Sequence, residues 1–573
     1  MEPILYLRRR VLPWLGASIL LAAFDVLGTA QASAPLTFLR ARGQDIVNES
    51  GTAVHLRGVG LGNWLLPEGY MWKFGNQGDR PRKIEKIVSD LIGPDEANQF
   101  WTTYRRSYIT ETDIQRLAEL GYNSVRPALN SRLFLDANNA PDLQAEGFQL
   151  LDRLVSACKA HGVYVVIDMH AAPGGQTGQN IDDSANNEPE LFTNPKHQDE
   201  LVALWEALAR RYKDEPAVAG YDLLNEPLPA RTGAAHAHKA QLEPLYRRVT
   251  AAIRAIDPKH IIILEGADWS NDWSVFTKPF DRNLVYQFHY YCWDSPSTVK
   301  NIQRYLEARQ RLNAPVWVGE TGEKDSAIYW ATTEYFEANN IGWSFWPWKK
   351  MDTRNTPFSI KAPQDWEAVA AYSRGGDKPS PAVARKALDE LLVNVRMENC
   401  VYYPDIVHGM LREAPARIEA ENFGVDGPGN SYFVKNTNAP SHFYRVWEAV
   451  PVTAQETGRR QSEQYIKLQA TEWTAYTIHS AATEKYRLTV RARSAQTNSE
   501  LQVLVGDETF TCPALTADWS KIDLGAVTLT EGANHLKCRV TQGAADVDWL
   551  QLDVSMKPEQ AARAEATTAK KAN

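Results

Sequence analysis

The chain has 573 residues, 44% hydrophobic and 23% charged, which is a globular composition rather than a disordered one. Its net charge of −8 excludes a general binder of nucleic acid or anionic membrane, because no basic excess exists to neutralise phosphates. Aromatic residues make up 10%, a level that suits sugar faces, and five cysteines are too few for a disulfide scaffold.

Residues 1–34 read as an address. Arg8, Arg9 and Arg10 precede an apolar run from Val11 to Phe24, and Ala32-Ser33-Ala34 forms a small-residue cleavage site, so a secretory signal peptide is expected. The run is too short to span a bilayer, which takes about 20 residues. No later run reaches that length, so the mature protein is expected outside the membrane, either periplasmic or extracellular. Ile46-Val47 and Ala53-Val54 flank the turn Asn48–Gly51 as a hairpin.

Eight short apolar runs follow: His55–Leu61, Ser124–Leu129, Val163–Met169, Val218–Leu224, Ile261–Glu265, Leu284–His289, Val316–Glu320 and Gly342–Trp346. Helical periods separate them, among others Thr112–Leu120, Gly147–His161, Glu200–Tyr212, Leu242–Ile256, Val299–Leu312 and Ala327–Asn339. Continuous Val, Ile and Leu suit parallel strands covered on both faces. Eight such units predict a (β/α)8 barrel over residues 35–412. The alternative, an open doubly wound sheet, lacks a Gly-rich phosphate loop after its first strand.

From 413 to 555 the pattern becomes short strands of period two: Arg417–Phe423, Tyr465–Leu468, Thr474–His479, Tyr486–Ala492, Leu501–Val505 and Asp546–Val554. They predict an all-β jelly-roll sandwich. Residues 556–573 lack aromatics and read as a disordered tail. Cys512 and Cys538 are candidates for a disulfide, and Cys158 for a buried thiol.

Catalytic groups of such barrels sit at the C-terminal strand ends. Those positions hold Arg126, His170, Asn225, Glu226, His289, Tyr291, Glu320 and Trp346. Glu226 and Glu320 follow strands four and seven and can face each other across the mouth. Two carboxyls flanking one bond suit glycoside hydrolysis, with their pKa values pushed apart. Tyr291 and Arg126 are candidates to hold Glu320 as an anion, His289 to orient the acid, Asn225 to bind a 2-hydroxyl and Trp346 to face a sugar ring.

Leu-Asn-Glu-Pro (224–227), Phe-His-Tyr-Tyr (288–291), Val-Gly-Glu-Thr-Gly (318–322), Asp-Met-His (168–170) and Ser-Val-Arg-Pro (124–127) resemble glycoside hydrolase family 5, the cellulase-like retaining enzymes. The resemblance implies Glu226 as acid/base, Glu320 as nucleophile, carboxyls about 5 Å apart and no catalytic cofactor. Family usage also implies a cis Trp346–Pro347 peptide. Leu61–Glu68 and Ala172–Gly178 resemble loops of the exo-β-1,3-glucanases of that family, in which one Glu and one Asp grip the terminal sugar. The counterparts here are Glu68 and Asp183 or Asp182. Asn63 and the stretch Gly69–Gly75 depart from that pattern, and Glu68 also reads as an ordinary loop carboxylate.

Arg417–Phe423 and Asp546–Leu552 resemble the first and last strands of carbohydrate-binding module family 6. That resemblance implies sugar contacts at Tyr432, Trp519 and Asp546, and a structural Ca2+ on Glu419, Glu421 and Asp553. A solvated strand face and a core tryptophan are the plain alternatives. His236 and His238 form a pair with no third ligand nearby and read as a solvated connection. The expected activity is a secreted retaining β-glycosidase acting on a β-1,3- or β-1,4-linked glucan, with no protein partner implied. A β-mannanase, a transglycosylase or a non-catalytic carbohydrate-binding protein are the alternatives.

Overall fold

The computed structural model describes residues 35–230, 233–292, 302–438, 444–445, 448–454 and 464–554. The expected signal peptide and C-terminal tail lie outside the described residues. Eight parallel strands form a closed barrel: Arg57–Leu61, Ser124–Asn130, Tyr164–Ala171, Val218–Asp222, Ile261–Glu265, Leu284–Tyr290, Val316–Gly322 and Gly342–Trp346. Each pairs with its neighbour in sequence, and the eighth closes on the first, with Phe345 opposite Val59. Nearly every strand residue is buried, the reason these segments carry almost no polar alternation.

Small residues set the close approaches. A Cβ at Gly60 would lie 2.3 Å from the Trp346 ring, and one at Gly319 would lie 2.2 Å from Gln287. Leu39, Leu56, Val166, Ile261, Ile263, Val285 and Trp317 cluster as a floor to the barrel. The turn at Asn48–Gly51 forms as expected, closed by Asn48 N–H on Thr52 O at 2.9 Å.

Two helices between strands one and two, Pro81–Ile92 and Pro94–Tyr108, are additions to the sequence reading. Each starts with proline in its first turn, where a missing N–H costs nothing. The second carries Phe100, Trp101, Tyr104 and Tyr108 against Trp72 and one another. Much of the aromatic content is therefore core. The helix expected from Val299 starts at Gln303 within the described residues. No helix among the described residues is long and apolar enough to cross a membrane.

The C-terminal region is two antiparallel sheets, one of six strands and one of five. Ser520–Leu529 and Gly532–Gln542 are long strands absent from the sequence reading. Their charged and Gly-containing outer positions hide the alternation. The first strand ends at Glu419 rather than Phe423, because Asn422 N–H turns back to Glu419 O at 2.9 Å. Cys512 and Cys538 are separate buried thiols, so that disulfide does not form, and Cys158 is the buried thiol expected.

The sandwich docks on the barrel. Trp330 and Ala331 of the helix Ser326–Ala338 enter the sandwich core. Arg412 donates to Thr333 Oγ1 at 3.0 Å and to Glu337 at 2.6 Å, while its carbonyl accepts from His479 N–H at 2.7 Å.

Candidate active site

All eight strand-end residues read from the sequence converge at the barrel mouth. Arg126, fully buried, is the hub. Its Nη1 donates to Glu320 Oε1 at 2.7 Å, its Nε to Asp222 at 2.8 Å, and its Nη2 to Asn225 Oδ1 at 2.9 Å and Glu265 Oε1 at 3.0 Å. Asp168 lies 3.2 Å from the same Nη2. One cation thus holds four carboxyl groups in a place where an unpaired charge would be strongly destabilising.

Glu320 closes this network from strand seven. The Tyr291 hydroxyl donates to its Oε2 at 2.7 Å. Burial alone would raise its pKa, but His289, Arg126 and His170 outweigh burial and hold the carboxyl below its ordinary value. Glu226 behaves oppositely. Burial raises its pKa, and the His289 contact only partly offsets that. The two carboxyls therefore favour opposite protonation states. Each has an oxygen within 4.8 Å of the other and of a His289 nitrogen.

His289 Nδ1 lies 2.6 Å from Glu226 Oε1. Burial opposes charge on this ring, yet Glu265, Glu320 and Glu226 raise its pKa well above the ordinary value. When this ring is protonated, both of its nitrogens are donors and neither offers a lone pair to a metal. His170 Nδ1 lies 2.7 Å from Asp168 Oδ2 and its Nε2 lies 3.2 Å from Asn225 Nδ2. The Trp346 indole stacks on His170 at 5.2 Å and 3°, and the Trp346–Pro347 peptide is cis.

Glu226 adopts φ 43°, in the left-handed region that side chains rarely enter. Such backbone costs on the order of 1–3 kcal/mol and persists only where its surroundings hold it. Here Glu226 N–H donates to Glu265 Oε2 at 2.8 Å, and Gln176 Nε2 holds the Asn225 carbonyl at 2.9 Å.

Of the two loop acids expected to grip a sugar, only Glu68 faces the site. It is buried, its Oε1 has no hydrogen-bond partner, and its pKa is raised by burial and by Glu320, Glu323 and Glu226. Asp183 is instead a structural hub. Asn130 Nδ2 donates to it at 3.0 Å, Arg82 N–H at 2.9 Å, and Arg132 pairs with it as well. Asp182 is occupied by Thr177, Gly178 and Ser184. Both acids are buried and committed to donors of their own surroundings rather than turned to the site.

The sequence reading misses Asp168, Asp222, Glu265 and Gln287. Two of them carried a signal, since Asp168 and Gln287 stand two residues before His170 and His289 and so share their barrel face. Glu265 simply ends strand five. Tyr70, Glu323 and Lys350 also line the mouth, with Lys350 Nζ 2.5 Å from Glu323 and the Trp346 Nε1 donating to Tyr70 at 3.1 Å. Tyr70 lies in the 3-10 turn Gly69–Trp72, Glu323 just after strand seven and Lys350 in the short strand Lys349–Met351, and no catalytic motif marked them.

The sandwich residues fare differently. Tyr432 is buried against Phe423 with ring centroids 5.4 Å apart, so it is core and cannot stack on a sugar. Trp519 is half-buried beneath the guanidinium groups of Arg491 and Arg493, 5.0 and 4.6 Å from its ring. Asp546 pairs with Arg493 at 3.0 Å. Glu419 and Glu421 are neighbours, and burial first and nearby acids second raise both pKa values, that of Glu419 to about 7. Glu421 Oε2 is buried without a partner. Asp553 is not beside them. Glu419 pairs with Trp549, and Asp553 lies four residues further, about 13 Å along the strand. Asp548 occupies the place expected of Asp553, since its charge reaches both glutamates.

A barrel with two opposed carboxyls at its mouth, one with its pKa raised and the other with its pKa lowered, defines a glycoside hydrolase site. The family model for cellulase (glycosyl hydrolase family 5) matches residues 91–352. A β-xylosidase of Phanerodontia chrysosporium is 30% identical over 364 residues, 56% of this chain and 74% of that protein. A probable glucan 1,3-β-glucosidase A of Emericella nidulans is 28% identical over 305 residues, 51% of this chain and 71% of that protein. The crystal structure of an endogalactoceramidase aligns over 90% of this chain and 100% of its own, at 16% identity and a TM-score of 0.44. The chain belongs to glycoside hydrolase family 5 and is a β-glycosidase.

Proposed function

We propose that the protein is a secreted retaining β-glycosidase acting on β-linked glucan, with Glu320 as nucleophile and Glu226 as acid/base. The observation that carries this is the pair itself: carboxyl oxygens within 4.8 Å, with opposite protonation preferences. Inverting enzymes need about 6.5–9.5 Å between the two groups to admit a water, whereas retaining enzymes need about 5–5.5 Å.

Glu320, held anionic by Arg126 and Tyr291, attacks the anomeric carbon. Glu226 gives its proton to the departing glycosidic oxygen. The resulting glycosyl ester on Glu320 is then hydrolysed by a water that Glu226, now ionised, deprotonates. Two inversions return the β configuration. Glu68, whose pKa burial raises and whose Oε1 has no hydrogen-bond partner, is the group we assign to a hydroxyl of the reacting sugar. No step requires a cofactor.

Product analysis by NMR on laminarin, carboxymethyl-cellulose, xylan and mannan tests the reading, with Glu320→Ala as control. Release of the β-anomer first from a glucan supports it. An α-anomer first would overturn retention, and release from xylan or mannan alone would move the substrate. Glucose as the sole laminarin product would support an exo site.

In the sandwich, a structural Ca2+ on Glu419, Glu421 and Asp548 would have to displace Arg417 from Glu419 and Arg491 from Asp548, and these acids are not gathered at ligand distance as Glu226, His289 and Glu320 are. The ion is therefore left out of the proposal, and Tm is expected to be the same with calcium as with a chelator.

A further inference from the structure

We propose that Glu265 is the positioning residue for the acid/base, fixing Glu226 at its backbone and, through His289, at its carboxyl; this rests on the role assigned to Glu226 above. Glu265 ends the fifth barrel strand and is fully buried. Its Oε2 accepts the Glu226 N–H at 2.8 Å, at the one backbone position of the catalytic pair with positive φ. Its Oε1 accepts from Arg126 Nη2 at 3.0 Å and from Gln287 Nε2, and lies 3.4 Å from His289 Nε2. The other nitrogen of that ring lies 2.6 Å from Glu226 Oε1. One carboxylate therefore grips the acid/base residue from both ends.

The chemistry of the position demands an anion. Every neighbour of the Glu265 carboxylate is a donor: the Glu226 amide, the Arg126 guanidinium, the Gln287 amide and the His289 ring. A glutamine could keep the Glu226 contact with its carbonyl, but its NH2 would then face three other donors. The His289 ring would lose one of the three carboxylates that favour its proton, and with it the acceptor on the side away from Glu226. Gln287 is itself held in place by the bare backbone of Gly319, where a Cβ would lie 2.2 Å away.

A general acid matters in proportion to how poor the leaving group is. The test therefore compares kcat/KM, which reads the steps up to the glycosyl ester, on two substrates. One is a disaccharide of the sugar the wild-type protein releases, and the other is the 2,4-dinitrophenyl β-glycoside of that sugar, whose leaving group needs no proton. Glu265→Gln is expected to lose about 100-fold on the disaccharide and less than 10-fold on the aryl glycoside. Glu226→Gln, run beside it, should show the same pattern more strongly.

An equal loss on both substrates for Glu265→Gln, with discrimination retained by Glu226→Gln, would overturn the role of Glu265 alone. Failure of Glu226→Gln to discriminate would overturn the acid/base reading beneath it. If Glu265→Gln does not fold, Glu265→Asp keeps the charge but withdraws it by one methylene. It should show the same discrimination at smaller size, and a wild-type ratio between the two substrates would overturn the proposal.

Discussion

The barrel mouth and the outer face of the sandwich use the same residue types to opposite ends. At the mouth, one fully buried Arg126 meets four carboxyls, and no solvent intervenes. On the six-stranded sheet, Arg417, Arg491 and Arg493 are 46, 28 and 31% exposed and pair one to one with Glu419, Asp548 and Asp546. Parallel strands that close a barrel end around a common axis, so their terminal side chains converge and share charge. An open antiparallel sheet lays its outer side chains side by side, so each arginine keeps partial access to water even where its acid, as with Asp548, is buried. Arginines and acids in a strand thus mean catalysis in one region and a charged surface in the other.

The largest effects should come from the mouth. Glu320→Ala should reduce kcat by about 10⁴-fold or more, and Glu226→Ala by about 10²–10⁴-fold on unactivated substrate, with both proteins folded by circular dichroism. The pH profile should be a bell. Activity needs Glu226 protonated and Glu320 ionised. It falls as pH rises through the raised Glu226 pKa, and falls as pH drops through the lowered Glu320 pKa. In Glu226→Gln the alkaline limb should vanish and the residual rate should keep the acid limb.

Arg126→Met should destabilise the protein by about 3–5 kcal/mol, read by thermal or denaturant unfolding, because it leaves buried carboxylates without their cation. Loss of activity with full stability would break the claim that this network also holds the fold.

The junction between the regions gives an intermediate effect. Glu334 faces Arg412, Arg445, Asp426 and Glu448, and burial raises its pKa to about 7. The unfolded chain releases this proton near pH 4.5, while the folded protein keeps it to about 7. Stability from this group is thus complete below pH 4.5 and is lost as pH rises towards 7. Glu334→Gln should remove that slope and gain on the order of 2–3 kcal/mol at pH 8 relative to wild type. A parallel pair of stability-against-pH curves would refute it.

The smallest effect should come from the sandwich face. Arg493→Ala is expected to cost less than about 1 kcal/mol, since its pair with Asp546 is partly solvated. A loss as large as that of Arg126→Met would erase the contrast between the two surfaces.

The sequence by itself determined the eight-strand alternation and the ring Arg126, His170, Asn225, Glu226, His289, Tyr291, Glu320 and Trp346. Parallel strands must be apolar throughout, so a polar residue at the end of each run stands out. The tertiary structure alone decided which loop acid faces the barrel mouth. Asp182, Asp183 and Glu68 are equal as carboxylates in a loop, and only packing shows two of them engaged by nearby donors and one with an open oxygen. The same holds for Glu265, a strand-end acid like any other until folding places it under both ends of Glu226. In the sandwich, period two gave Glu419 and Glu421 a common face but could not tell Asp548 from Asp553. That distinction depends on the register between two strands more than a hundred residues apart, which only cross-strand pairing sets.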